Sequence, residues 1–106
     1  MAETLKRLVG PQLLNTTGGT VYTVPANTQA VLRDIIICNE SGSAATFTIS
    51  IGTDGAGKRL FKSSSLAANT PFQQTGNITL EAAEVIQAVA SANSAIVLTI
   101  SGLEIT

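Results

Sequence analysis

Short runs of β-branched residues, separated by clusters of turn-forming residues, recur along the whole chain. Thr, Ile and Val account for 31 of the 106 residues, and such side chains fit the pleated surface of a strand. The most regular run, Ala45–Ile51, alternates apolar and polar positions, which places Phe47 and Ile49 on one face of a strand. Many short strands divided by turn signals predict an antiparallel sandwich or barrel.

A faint internal repeat refines this prediction. Pro25–Thr28 recurs as Ala67–Thr70, about 42 residues later. Ser43–Gly52 recurs, with one shift, as Asn93–Gly102. Two similar four-strand halves packed face to face form a jelly roll, although chance similarity between strand-like segments explains the repeat nearly as well. We therefore predict an all-β fold: an antiparallel jelly-roll-like β-sandwich of about eight short strands with at most one short helix.

Two segments carry particular expectations. Val31–Cys38 is apolar at most positions, which predicts a central strand with both faces largely covered. Cys38, at its end, is interpreted as a small buried side chain, because no histidine is present to activate it. Leu80–Ala90 shows helical spacing, but a turn at Ala82–Glu84 followed by a strand fits as well, and the β-rich context favours the strand.

The length suits one domain. We divide the chain into residues 1–12, an N-terminal arm or edge segment, and residues 13–106, a single β-sandwich domain. The first segment contains Leu5, Leu8 and Val9, which fit either one or two helical turns or an arm that orders when it docks. It lacks the uninterrupted apolar stretch of a signal peptide, so we expect the chain to be made inside the cell.

The composition argues against several kinds of chemistry. The chain has no histidine and one cysteine, which removes the commonest acid/base residue, the commonest metal ligand and any internal disulfide. Its net charge of −1 provides no general attraction to nucleic acids or acidic membranes. We predict no catalytic, cofactor-binding or metal-binding residues. The charged fraction is 12%, about half the usual 25%, which suggests that something other than water covers part of the surface.

One glycine-rich segment matches a phosphate-binding pattern. Gly52–Lys58 fits G-x-x-x-x-G-K, but Arg59 stands where a magnesium-binding Ser or Thr is needed, and no helix is predicted to follow. We interpret this segment as a connection between strands. Asp54 is the only acidic residue in it, which is too few for a calcium loop.

Half of the six basic residues lie between positions 58 and 62. This cluster fits either the protection of an edge strand by lysine or a contact with an acidic protein partner. It is a poor match to a nucleic-acid site, because only one aromatic residue accompanies it. The candidate interface residues are Leu5, Leu8, Val9, Lys58, Arg59, Phe61 and Lys62.

The order of these strand-and-turn motifs resembles small virion proteins of tailed bacteriophages. The likeness extends over about residues 12–105. It rests on Leu13–Asn15, Val21–Ala26, Val31–Asn39, Phe47–Ile51, Glu84–Ser91 and Leu98–Ile105. It implies a jelly roll or related β-sandwich in the virion, often trimeric, that acts as a head decoration (cement) protein or as a neck or tail component. No functional residues transfer, because such proteins work through surfaces.

The resemblance leads us to expect a non-enzymatic virion protein that stabilises the phage head through trimeric surface contacts. Its expected partners are copies of itself and the phage major capsid protein, with no cofactor, nucleic acid or membrane. One alternative is a neck, tail or baseplate adaptor or receptor-facing module. Another, from a different class, is a carbohydrate-binding module, which the presence of only four aromatic residues argues against.

Overall fold

The computed structural model describes residues 3–52, 55 and 57–106. These residues form eight β-strands and no helix, as predicted from the sequence. The strands are β1 (Glu3–Leu13), β2 (Thr20–Thr23), β3 (Gln29–Asn39), β4 (Ala45–Ile51), β5 (Arg59–Leu66), β6 (Pro71–Leu80), β7 (Val85–Ala90) and β8 (Ile96–Ile105).

The strands build two antiparallel four-stranded sheets. Their orders are β1-β8-β3-β6 and β2-β7-β4-β5. The chain passes from one sheet to the other at every connection except the β4–β5 hairpin. This is the jelly-roll arrangement of two Greek keys, so the predicted fold class is confirmed.

The core lies between the sheets and follows from the alternation of the strands. Ile37, Ile49, Ile86 and Ile100 are fully buried, one on each of the four central strands. At the β5–β6 side, three phenylalanine rings pack together with centroids 5.6 to 6.1 Å apart. They are Phe47, Phe61 and Phe72. Since Phe72 belongs to one sheet and the other two to the second, these rings join the sheets at this side.

The segment Leu80–Ala90 is a turn followed by a strand, as the β-rich context predicted. The turn is closed by the amide of Glu84, which donates to the carbonyl of Glu81 at 3.1 Å, and Ala83 has a φ of 69°. The helical spacing of the apolar residues is therefore incidental. The helical turns considered for Leu5 to Val9 are wrong, because these residues lie in β1.

The prediction that both faces of β3 are covered is wrong for a single copy of the chain. Leu32, Ile35 and Ile37 are buried on the inner face, but Ile36 on the outer face is 40% exposed. Cys38 is half-buried on the same outer face, so it is not the core residue that the sequence suggested. In a two-sheet sandwich only one face of each sheet reaches the core.

Gly102 is required by the close approach of β8 to β3. It lies opposite Leu32, and a side chain built there would collide with the carbonyl oxygen of Val31. Gly42, in the β3–β4 turn, has open space around it.

We expect Gly102→Ala to destabilise the protein by about 2–3 kcal/mol, because the two backbones must separate to admit the methyl group. Gly42→Ala, the matched control, should change stability by less than about 0.5 kcal/mol. Urea denaturation followed by circular dichroism measures both. Equal stability of Gly102→Ala and the parent protein would contradict the close approach of the strands.

Candidate interaction surface

Bulges in three strands align across the β1-β8-β3-β6 sheet. The extra residue is Leu8 in β1 and Arg33 in β3, and both lie opposite the stretch of β8 between Ile100 and Gly102. In β6, two residues, Gly76 and Asn77, lie opposite the bulge of β3. Bulges bend a strand and increase its local twist, so their alignment bends the sheet along one line.

A groove of about 650 Å³ follows this line across all four strands. It is lined by Leu5, Lys6, Arg33, Asp34, Thr75, Gly76, Asn77, Ser101 and Gly102. Asp34 accepts a hydrogen bond of 3.3 Å from Gln73. Arg33 is exposed and makes no ion pair with the described residues. The groove therefore offers hydroxyl, amide and charged groups, with no aromatic ring for stacking.

Apolar side chains flank the groove on the outer face of the same sheet. Leu5, Leu13 and Ile36 are 75%, 52% and 40% exposed, and they are the exposed large hydrophobic residues of the described chain. Residues directly opposite in paired strands share a face, and Leu5 pairs with Leu103 while Leu13 pairs with Val97. We call this surface the outer face; its apolar members are Leu5, Leu13, Val31, Ile36, Cys38, Val97 and Leu103.

The structure separates the two groups of predicted interface residues. Lys58, immediately before β5, and Lys62, within it, are exposed, and Arg59 is half-buried. β5 is an edge strand next to β6, whereas β1 is the edge strand on the opposite side of the molecule. Leu5 therefore does not share a site with the basic cluster.

Three of the predicted interface residues contribute to the core instead. Leu8 and Val9 are 9% and 3% exposed, because the bulge at Leu8 turns both side chains of these neighbours inward. Phe61 packs edge-on against Phe72. Their placement leaves Leu5, Lys58, Arg59 and Lys62 at the surface.

Sequence analysis missed Leu13, Ile36 and Cys38 as surface residues. The available signal was the continuous apolar run Val31–Cys38, since an antiparallel sheet normally alternates apolar and polar positions when its outer face meets water. A run that is apolar on both faces therefore indicates a second buried face, and the sandwich supplies only one.

A polar contact joins the two sheets at the β1–β2 side. The hydroxyl of Tyr22 donates to Oε2 of Glu104, and Nζ of Lys6 lies 3.2 Å from Oε1 of the same carboxylate. The hydrogen bond from Tyr22 holds the pKa of Glu104 below its ordinary value, and Lys6 adds to the effect. Burial, together with the neighbouring carboxylate, raises the pKa of the Tyr22 hydroxyl.

The described residues contain no cluster of three or more His, Cys, Asp or Glu side chains that could hold a metal ion. Arg59–Leu66, after the glycine-rich segment, is a strand rather than the helix that a phosphate loop needs. Asp54 lies outside the described residues. No helix long and apolar enough to cross a membrane occurs in the described chain.

No protein-family model matches the chain, and no curated protein matches its sequence. Among solved structures, a chain from Bacillus endospore appendages, described as a novel family of disulfide-linked pili, superposes with a TM-score of 0.58 at 10% identity. That match covers 98% of this chain and 88% of the other.

A chain from infectious bursal disease virus, Gx strain, superposes with a TM-score of 0.55, also at 10% identity. The match covers 97% of this chain and 31% of the viral chain, so this protein spans about a third of the length of its viral counterpart. At such low identity these likenesses show a shared fold alone. They show that the two solved chains and this chain share a β-sandwich fold.

Leu8 is buried and Leu5 is exposed, so truncation of these two side chains to alanine should affect the stability of the fold differently. We expect Leu8→Ala to lower the free energy of unfolding by about 2–3 kcal/mol, because it leaves a cavity in the core. Leu5→Ala should change the free energy of unfolding of the isolated, dissociated chain by less than about 0.5 kcal/mol. Thermal unfolding of the two variants provides the measurement, and equal melting temperatures would contradict the inward position of Leu8.

The Tyr22–Glu104 contact predicts a stability difference that depends on pH. Because the folded-state pKa of Glu104 is lowered, its contribution is present above the unfolded value of about 4.3 and is lost as the pH falls through the folded value. We expect Tyr22→Phe to cost about 1–2 kcal/mol at pH 7 and progressively less below about pH 4.

Urea denaturation at pH 7, 5 and 3 tests this. Lys6→Met is the control, since an exposed ion pair contributes less than about 1 kcal/mol. A Tyr22→Phe loss that is the same at pH 3 and pH 7 would contradict the role of the carboxylate.

Proposed function

We propose that the chain is a non-enzymatic structural protein of a virion, and specifically a capsid decoration (cement) protein of a tailed phage. In this proposal, copies of the chain form a homotrimer, and trimers bind the major capsid protein on the assembled head. The observation that carries the proposal is the outer face, where Leu5, Leu13 and Ile36 are all exposed on one sheet. Exposed apolar patches on small proteins mark interaction surfaces.

The physical mechanism would be state-selective binding. A protein that binds only the assembled shell stabilises that shell by mass action, and a trimer multiplies a modest contact into a tight one. This mechanism needs surfaces rather than reactive groups, in agreement with a chain of low charge and no histidine. The fold shared with chains from a virus and from a pilus supports a structural role of this general kind.

The number of cysteines argues against a second structural role, that of a subunit in a disulfide-linked filament. A filament in which disulfides join successive subunits needs at least two thiols in each subunit, one for each neighbour. This chain has one, Cys38, which by itself links no more than two copies. A role like that of the disulfide-linked pili is therefore not supported by this sequence.

The aromatic residues also argue against the carbohydrate-binding alternative. Phe47, Phe61 and Phe72 pack on one another, and Tyr22 points between the sheets to Glu104. Among the described residues, which include all four aromatic side chains, no ring is left as an exposed platform for a sugar. The alternative that keeps its support is a neck, tail or baseplate component, since such a protein also works through its surfaces.

Lys58 and Lys62 provide the test of particle binding, since they lie on the sheet opposite the outer face. We expect the double variant Lys58→Glu/Lys62→Glu to bind heads at least about tenfold more weakly, because it opposes any acidic patch on the shell. The conservative double variant Lys58→Arg/Lys62→Arg should bind normally. Co-sedimentation with purified heads that lack this protein, and separately with purified tails, measures the binding.

Binding of the parent protein to tails alone would replace the decoration proposal with the tail alternative. Binding to neither particle would contradict the virion proposal.

A further inference from the structure

The outer face consists of two apolar regions with a polar groove between them. One region contains Leu13, Val97 and Cys38, which are aligned across three strands; the other contains Leu5, Leu103 and Val31, aligned across the same strands. Ile36 lies between the regions on the central strand β3. Apolar side chains therefore lie towards both ends of the sheet and at Ile36 between them, instead of forming one compact patch.

The size of this face matches what an interface needs. Four strands at a spacing of about 4.8 Å, each about ten residues long, give a face of about 19 by 33 Å, or about 600 Å². In a trimer each copy buries up to about 600 Å² of this face against its two neighbours, so three copies bury about 1,800 Å² in total, compared with about 1,200–2,000 Å² in a specific, stable interface between two partners.

The charges on the face are balanced. Its strand positions and groove carry two acidic residues, Glu3 and Asp34, and three basic residues, Lys6, Arg7 and Arg33. Lys6 is paired with Glu104, which leaves two charges of each sign. Arg33 and Asp34 are neighbours in the groove near the middle of the sheet. An adjacent pair of opposite charges is self-complementary, because around a symmetry axis the cation of each copy faces the anion of the next.

We propose that the occupant of the outer face is a second copy of this chain, and that the outer faces of neighbouring copies meet at the symmetry axis of the oligomer. This inference rests on the homotrimer of the proposed function and names the surface that forms it. Ile36 of each copy packs against its neighbours, and Arg33 pairs with Asp34 of the next copy. The exposed Lys58 and Lys62 lie on the side of the molecule formed by the other sheet, away from this interface, where they can contact the shell.

The first experiment adds a charge to each of the two sheets in turn. Ile36→Arg places a cation on the outer face, and Thr46→Arg, the matched control, places the same cation on the outward side of β4 in the opposite sheet. We expect the parent protein and Thr46→Arg to be trimers by size-exclusion chromatography with light scattering. Ile36→Arg should be a folded monomer with an unchanged circular dichroism spectrum.

The single native cysteine gives an independent reading on the same samples. Cys38 lies in one of the apolar regions of the outer face and is half-buried in a single copy. Its reaction with Ellman's reagent should be at least about tenfold slower in the parent trimer than in Ile36→Arg, because an interface excludes the reagent. Dilution of the parent protein should abolish the difference, since dissociation follows mass action.

The charge pair is tested by exchange. Arg33→Asp and Asp34→Arg should each weaken the trimer at least about tenfold, because each places like charges at the contact between copies. The double variant Arg33→Asp/Asp34→Arg restores opposite charges and should recover most of the loss. Recovery in the double variant distinguishes a contact between copies from damage to the fold.

Two results would overturn the inference. One is an Ile36→Arg variant that stays trimeric, with Cys38 reacting equally fast in all samples. The other is a parent protein that stays monomeric at high concentration, its outer face being occupied by another protein or by a saccharide. The first result leaves the proposed function intact, whereas a monomeric parent protein also removes the homotrimer from it. Failure of the decoration role itself is a different result, the absence of binding to phage particles by a trimeric parent protein.

Discussion

Burial of the inner faces of two four-stranded sheets is the interaction on which the rest of this structure depends. Ile37, Ile49, Ile86 and Ile100 meet between the sheets, and burial of an aliphatic side chain of this size contributes about 1.5–3 kcal/mol relative to exposure. Because strand side chains alternate, this core uses about every second residue of each strand, apart from the bulges, where neighbours such as Leu8 and Val9 are both buried. The remaining residues are free to serve contacts outside the chain.

The two lateral sides of the sandwich are closed by different chemistry. At the β5–β6 side, three phenylalanine rings fill the space between the sheets. At the β1–β2 side, Tyr22 and Glu104 form a polar contact that Lys6 supports. The first closure is apolar and insensitive to pH, whereas the second weakens in acid because it requires an ionised carboxylate.

Much of the fold could be predicted because the strands and turns follow local sequence patterns, namely the alternation of apolar and polar residues and the clusters of turn-forming residues. The alternation of Ala45–Ile51 gives strand β4 with Phe47 and Ile49 inward, as expected. The turn before Val85 was also visible in the sequence. The burial of Val9 next to Leu8 was not, because a single extra residue in β1 reverses the side to which the following residues point. Pairing with β8 decides where that bulge occurs.

The candidate surface was harder to predict for a related reason. Val31–Cys38 is apolar on both faces, and sequence alone does not say whether the second face is covered by the same chain or by another. The jelly-roll topology answers this, because it places β3 inside a sheet that has only one inner face. The groove depends on bulges in three strands that are distant in sequence, so no local sequence motif predicts it.

The central claim is that copies of this chain meet through the outer face, and a crystal structure of the oligomer tests it most directly. We predict Ile36 and Cys38 within van der Waals contact of a neighbouring copy, with Arg33 paired to Asp34 across the interface. An oligomer whose copies join elsewhere, with Ile36 and Leu13 left in solvent, would contradict the claim.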